Sequence, residues 1–140
     1  MTDLTTFLKT LNVTQVVGNL QAAPDDLAGA LTTIDLGRQN VNATEESLRL
    51  AEANAEAAAW MALAGDGRKM LADEKKAAVT VHIAADPEAT SARLELANAK
   101  LALGQATAQF EAAKARFAAA RSLSDLAAAT LNYVSHRRSP

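Results

Sequence analysis

A seven-residue repeat of large apolar residues dominates the second half of the chain and limits the folds open to it. Leu96, Leu103, Phe110 and Phe117 recur every seven residues, and an alanine follows each of them three residues later. These are the a and d positions of a long α-helix that packs along another helix. The repeat therefore predicts an extended helix that needs a partner of similar length.

The residues just before this repeat carry the signals of a helix start. Asp86 can accept hydrogen bonds from free backbone amides, and Pro87 suits the first helical position because it has no amide hydrogen to lose. Glu88 complements the positive end of the helix dipole. We expect a long helix over residues 87–135, followed by a basic tail over residues 136–140.

A second repeat upstream predicts the partner helix. Leu27, Ile34, Val41 and Leu48 also recur every seven residues, and small residues again follow three positions later. Ala23-Pro24-Asp25-Asp26 is a second start signal, and Gly65-Asp66-Gly67 is a strong break. We therefore predict a long helix over residues 24–65 that runs antiparallel to the later one, because an antiparallel pair brings large a residues against small d residues.

The lengths of the two helices suggest a register in which paired residue numbers sum to 154. This register sets Leu103 against Ala51 and Phe110 against Thr44. A slip of one heptad keeps the large-to-small match and leaves the helix ends uneven. The edges carry complementary charges, with Arg93, Lys100, Lys114 and Arg121 on one edge and Glu45 and Glu52 on the facing one.

Two shorter helices complete the predicted fold. Leu4, Phe7, Leu8 and Leu11 have helical spacing, which predicts an N-terminal helix within residues 1–23. The connecting segment, residues 66–86, is predicted to hold a short helix from Arg68 to Ala85. Met70, Ala77, Val81 and Ala84 would lie on one side of it, with Leu71 and Ala78 beside them. The β-branched run over residues 79–83 leaves a short extended segment as the alternative. The prediction is one all-α domain, residues 1–140: a long antiparallel helical hairpin with a coiled-coil-like, alanine-rich seam.

Both long helices carry apolar residues outside the predicted seam. One hairpin buries one seam on each helix, so additional apolar stripes need further helices to cover them. We therefore expect a homo-oligomer. Its candidate interface residues are Leu94, Leu101, Ala108, Leu36 and Leu50.

Composition and motifs argue against catalysis and membrane insertion. The chain has 16 acidic and 14 basic side chains, and no cysteine. Its two histidines, His82 and His136, are far apart in sequence and lie outside any metal-binding or nucleophile motif. No apolar run approaches the roughly 20 residues of a membrane span. We expect a non-enzymatic, cytoplasmic protein without cofactor, metal or membrane partner; for a phage-encoded chain the compartment is the host cytoplasm.

One basic cluster lies in the connecting segment and is the candidate nucleic-acid site: Arg68, Lys69, Lys75, Lys76 and His82. It is either a solvated helix face, partly neutralised by Asp73 and Glu74, or a contact for a phosphate backbone, where point charges suffice and sequence is not read. Trp60 and Tyr133 are either packing residues or platforms on which bases stack.

The assembled pattern resembles the small phage recombination mediators of the UvsY type. In that family, a helix, a glycine-containing turn, a lysine-bearing segment and an Ala-Asp-x-x-Val-like restart lead into a second long helix. The corresponding stretches here are residues 60–67, 74–79 and 84–89, within a resemblance that covers roughly residues 45–125. The family carries basic and aromatic residues just before the turn. Here residues 56–64 have no basic residue and only Trp60, so the expected DNA contact falls on the cluster that starts at Arg68.

The resemblance implies a protein that binds single-stranded DNA, forms a ring-like homo-oligomer and helps a recombinase displace a single-strand-binding protein. The alternative is a phage or bacterial structural or adaptor protein that acts through helix–helix association and does not bind nucleic acid. Salt-sensitive binding of single strands distinguishes the two hypotheses.

Overall fold

The computed structural model describes Thr6 and residues 12–137, and this part of the chain holds three α-helices. Helix α1 spans Val13–Gly65, α2 spans Ala72–Ala85 and α3 spans Pro87–Arg137. The described residues include no strand. The predicted all-α class, a long helix pair with a short connecting helix, is confirmed. Residues 79–83 are helical, so the extended alternative is wrong.

Helix α1 begins earlier than predicted. It follows Asn12, whose φ of 41° lies in the left-handed region that asparagine tolerates, and the Asn12 carbonyl accepts the amides of Gln15 and Val16. Pro24 lies inside α1 instead of starting a helix, so the predicted boundary at residue 24 is wrong. The predicted N-terminal residues Leu4, Phe7, Leu8 and Leu11 lie outside the described residues.

The break between α1 and α2 is where the two glycines predicted it. α1 ends at Gly65, and Gly67 has a φ of 62°, a backbone conformation that glycine adopts without strain. Helix α2 begins at Ala72 rather than Arg68. Its first turn is closed by the Glu74 carboxylate, whose Oε2 accepts the Leu71 amide at 3.0 Å.

A single non-helical residue, Asp86, separates α2 from α3. Its Oδ1 accepts the Ala89 amide at 2.8 Å, and its carbonyl accepts both the amide and the hydroxyl of Thr90. Pro87 occupies the first position of α3 and Glu88 lies in its first turn. The predicted cap at Asp86 is confirmed.

The described contacts divide the chain into two compact units. The first unit comprises residues 1–33 and 106–140, and the second comprises residues 34–105. Within the described residues of the first unit, the buried core consists of small side chains, Ala23, Ala106 and Ala120, with Phe110 and Phe117 half-buried beside them. The alanine-rich seam is therefore present in this unit.

The second unit shows how α1 and α3 are aligned within it. A Cβ built on Gly37 would lie 3.2 Å from Leu103 Cδ1 and 3.6 Å from Leu103 Cβ, so these two residues face each other. Glu52 pairs with Arg93 at 2.9 Å and Glu45 pairs with Lys100 at 3.0 Å. These contacts shift the pairing by two heptads from the predicted register, because Leu103 faces Gly37 instead of Ala51. The predicted register is therefore wrong, while the large-to-small match is confirmed at Leu103 and the charged edges are confirmed at Arg93 and Lys100.

The far end of α1 is also buried in the second unit. When Leu103 faces Gly37 and Glu52 pairs with Arg93, the start of α3 lies near residues 53–58 of α1. Ala55 and Ala59 are 3% and 2% exposed, and Val79 of α2 is 6% exposed. In the predicted register, Ala89 near the start of α3 would instead lie level with Gly65.

The side of α2 that packs differs from the predicted one. Val79 is buried and Ala78 and Ile83 are half-buried, whereas Val81 is 68% exposed and Ala77 and Ala84 are exposed. Within α2, the apolar side predicted for the connecting helix is therefore half-buried only at its edge, at Ala78. The predicted apolar stripe and the stripe that contains Val79 both have helical spacing. Which of the two is buried therefore depends on how α2 is rotated against α1.

Candidate nucleic-acid and assembly surfaces

The predicted basic cluster is divided between two kinds of backbone. Arg68 and Lys69 lie in the irregular segment before α2, whereas Lys75, Lys76 and His82 lie on α2. Because the helix begins only at Ala72, the seven-residue spacing from Arg68 to Lys75 does not place them on one helix face. The cluster is thus not the single helical stripe that the sequence predicted.

The individual cations also differ in their surroundings. Arg68 Nε lies 3.8 Å from Asp66 Oδ2, with both side chains well exposed. Lys75 is half-buried on the same side of α2 as Val79, while Lys69, Lys76 and His82 are exposed. The ammonium groups of Lys69, Lys75 and Lys76 form no ion pair or hydrogen bond with any described residue. Their charges are therefore available to an anionic partner.

The surrounding acids limit the electrostatic attraction of this segment. Residues 66–86 contain four basic and four acidic side chains. Two of those acids, Glu74 and Asp86, cap helices α2 and α3, so their carboxylates are fixed close to the cluster. An anion would therefore meet separate positive charges rather than a strongly positive surface.

The two aromatic residues named as possible stacking platforms are both accessible. Trp60 is 41% exposed, and its Nε1 lies 3.4 Å from Glu56 Oε1 on the same helix. Tyr133 is 59% exposed and belongs to the first unit. Neither residue is a buried packing residue.

The four leucines of the predicted assembly interface are exposed to similar extents. Leu36, Leu50, Leu94 and Leu101 are 60%, 62%, 63% and 62% exposed, and Ala108 is also exposed. Leu94 and Leu101 are seven residues apart on α3, and they point away from the side on which Ala92 and Ala99 are buried. No described part of the chain covers these side chains fully.

A groove between α1 and α3 in the second unit was not predicted from the sequence. We call it the acidic groove, and its lining residues are Ser47, Leu50, Ala51 and Asn54 of α1 with Glu88, Ser91, Ala92 and Glu95 of α3. The carboxylates of Glu88 and Glu95 make no ion pair or hydrogen bond with a described residue. A signal existed in the sequence, since these acids lie seven residues apart beside the small seam residues Ala92 and Ala99.

A further groove lies in the first unit and has a mixed lining. Gln15, Asn19 and Asp26 of α1 face Arg116 and Phe117 of α3. Arg116 Nε donates to the Ala112 carbonyl at 3.3 Å, so part of this guanidinium is held by its own helix. The lining side chains are polar or small apart from the phenyl ring, and they form no recognisable catalytic set.

The part of the chain that the structure describes shows no group of three or more histidine, aspartate and glutamate side chains placed to hold a metal ion. Its helices include no segment with the length and hydropathy needed to cross a membrane. No protein-family model, curated protein or solved structure matches the chain.

Proposed function

We propose that this protein is a non-enzymatic helical protein that works by associating exposed helix faces, first with other copies of itself. The observation that supports the proposal is the exposure of Leu36, Leu50, Leu94 and Leu101, each about three-fifths accessible. Burial of a leucine side chain contributes about 1.5–3 kcal/mol, and most of that stabilisation is still unused at these four positions. Association with other helices would recover it.

The test is the assembly state of a double variant. Leu94→Glu with Leu101→Glu places two charges on the exposed stripe of α3, and we expect a lower molecular mass in multi-angle light scattering at micromolar concentration. Helicity measured by circular dichroism should be retained, because neither side chain belongs to the seam.

A matched control separates loss of the leucines from gain of negative charge. Ala102→Glu with Gln109→Glu adds two charges to exposed positions on another side of the same helix, also seven residues apart. This control should assemble like the wild type. A monomeric wild type, or a leucine variant as large as the wild type, would refute the proposal.

Binding of single-stranded DNA is the second candidate function. It is favoured by Lys69 and Lys76, which are exposed and whose ammonium groups have no partner among the described residues. Contacts of this kind read phosphates rather than bases, so the binding would be weak and independent of sequence. Repetition of the cluster in an oligomer would strengthen it by avidity. The resemblance to UvsY-type mediators would then extend to a role in recombination, with a recombinase and a single-strand-binding protein as partners.

Fluorescence anisotropy with labelled poly-thymidine at low salt tests this second candidate. Replacing Arg68, Lys69, Lys75 and Lys76 with alanine should weaken binding, and the slope of log affinity against log salt should fall by about 0.7 for every phosphate that is no longer neutralised. The control carries the same loss of charge outside both the connecting segment and residues 114–121, through alanine at Arg38, Arg49, Arg137 and Arg138. Equal salt slopes in the two variants would rule out the connecting segment as the binding site.

A further inference from the structure

We propose that the acidic groove receives residues 114–121 of α3 from a second copy of the chain. This inference rests on the proposed self-association and adds the two surfaces that meet. It also specifies that the contact joins two different surfaces, the groove of the second unit in one copy and a helix of the first unit in the other.

The groove favours a helix with small residues and positive charges. Ala51 and Ala92 lie along its length, and small side chains allow another backbone to approach closely. Leu50 also lines it and is 62% exposed, so it offers apolar surface to an incoming helix. Glu88 and Glu95 lie two turns apart, about 10.5 Å along α3, and they have no described partner.

The chain offers few pairs of cations with the matching seven-residue spacing. Arg93 and Lys100 are committed to Glu52 and Glu45 at 2.9 and 3.0 Å. In the pair Lys69 and Lys76, Lys69 lies outside the helices, and in the pair Arg68 and Lys75, Lys75 is half-buried. These three pairs are therefore poorly suited to bind in the groove of another copy.

Lys114 and Arg121 meet the requirement. They are seven residues apart on α3 and both are exposed. Lys114 Nζ lies 3.8 Å from Glu111 of its own helix, with both side chains more than 60% exposed, and Arg121 makes no described ion pair. Such loose same-helix pairing leaves Lys114 free to take a new partner.

The surface between these cations suits Leu50. Ala115 and Ala118 are exposed beside Lys114 and Arg121. A leucine against exposed alanines repeats the large-to-small packing that the protein uses between Leu103 and Gly37. Shape and charge thus select the same helical segment.

The contact is heterologous, because the groove and residues 114–121 are different surfaces of one chain. Each added copy therefore presents another free groove or another free segment, and such contacts either close into a ring or continue as a filament. Charges on the groove and on the segment are exposed to solvent, so assembly through them should weaken as salt rises.

Charge reversal on each side tests the proposal. The groove variant is Glu88→Lys with Glu95→Lys, and the segment variant is Lys114→Glu with Arg121→Glu. Each variant alone should run at a mass at least twofold below that of the wild-type assembly in light scattering. Mixing them in equal amounts should restore assembly, because the basic groove of one then meets the acidic segment of the other.

Two controls keep the result interpretable. Asp35→Lys with Glu46→Lys changes the net charge as much as the groove variant does, at exposed sites outside the groove, and should assemble normally. The neutral variant Glu88→Gln with Glu95→Gln should also assemble less than the wild type, and it serves if the lysine variant loses helicity at the start of α3.

The outcomes separate this inference from the proposed function. Folded charge variants that assemble like the wild type, or a mixture that stays dissociated, would overturn the groove contact while leaving self-association intact. A monomeric wild type would overturn the proposed function itself. Restored assembly in the mixture would establish the contact.

Discussion

Arg93 of α3 holds Glu52 of α1 through two nitrogens, with Nη2 at 2.9 Å and Nε at 3.2 Å from the same carboxylate oxygen. Arg93 Nη2 also lies 3.4 Å from the carbonyl oxygen of Ile83, in the last turn of α2. Carbonyls in the last turn of a helix lack intrahelical partners, so this contact satisfies one of them. One guanidinium therefore connects all three helices of the second unit.

Replacing Arg93 with alanine should lower the free energy of unfolding by about 1 kcal/mol, mostly because its hydrogen bonds are removed. Arg93 and Glu52 are 38% and 41% exposed, so solvent screening limits their coupling to about 0.5–1 kcal/mol in a double-mutant cycle. The cycle for Lys100 and Glu45 is the control, and it should give a smaller coupling energy. Equal coupling in both cycles would show that the second nitrogen contact of Arg93 with Glu52 adds nothing to the pair.

A disulfide can test the register of the second unit directly. The chain has no cysteine, and the distance from a Cβ on Gly37 to Leu103 Cβ is 3.6 Å, within the range that disulfides span. Gly37→Cys with Leu103→Cys should therefore form an intramolecular bond in air, detected by faster migration on a non-reducing gel. Ala51→Cys with Leu103→Cys, the pair of the 154 register, should stay reduced. Cross-linking of the second pair instead would contradict the structure.

Two valines of α2 provide a matched test of its packing. Val79 is 6% exposed and Val81 is 68% exposed. Val79→Ala removes buried methyl groups and should cost about 1–2 kcal/mol in urea unfolding. Val81→Ala should change stability by less than about 0.5 kcal/mol, as exposed substitutions usually do. If Val81→Ala proved the more damaging, α2 would be rotated relative to the structure.

The start of α3 depends on one side chain. Asp86→Ala removes the acceptor of the Ala89 amide and should cost about 1 kcal/mol of stability. Asp86→Asn keeps an oxygen acceptor and should restore most of the loss. Asp125→Ala, at an exposed position well inside α3, is the control for loss of charge. A loss from Asp86→Asn as large as that from Asp86→Ala would indicate that charge, rather than the hydrogen bond, matters there.

The heptad repeats predicted the helical class, the seam and the charged edges, because those properties depend only on position within the repeat. They did not predict the register, since every slip by seven residues again sets a against d. What distinguishes the registers is the contact between Leu103 and Gly37, which the repeat alone cannot select. The rotation of α2 could not be predicted either, because α2 carries two apolar stripes that could each be buried.

Pro24 illustrates a local signal that the surrounding helix overrides. A proline followed by two aspartates is a typical helix start, yet α1 passes through it and Ala23 is buried in the first unit. The prediction of one basic stripe was wrong for a related reason, because the spacing from Arg68 to Lys75 assumed a helix that begins only at Ala72. The acidic groove could not be predicted from the sequence, because placing Leu50 and Glu95 on one surface requires the register between α1 and α3.

The antiparallel pairing in the second unit has a consequence for how this unit folds. Glu52 and Arg93 are 41 residues apart in sequence, and Gly37 and Leu103 are 66 apart. In an antiparallel pair, each step of one heptad away from the turn adds 14 to the sequence separation of the paired residues. The entropy of closing the larger loop exceeds that of closing the smaller by only about 0.4 kcal/mol, so loop closure itself adds little to the cost of pairing the layers farther from the turn.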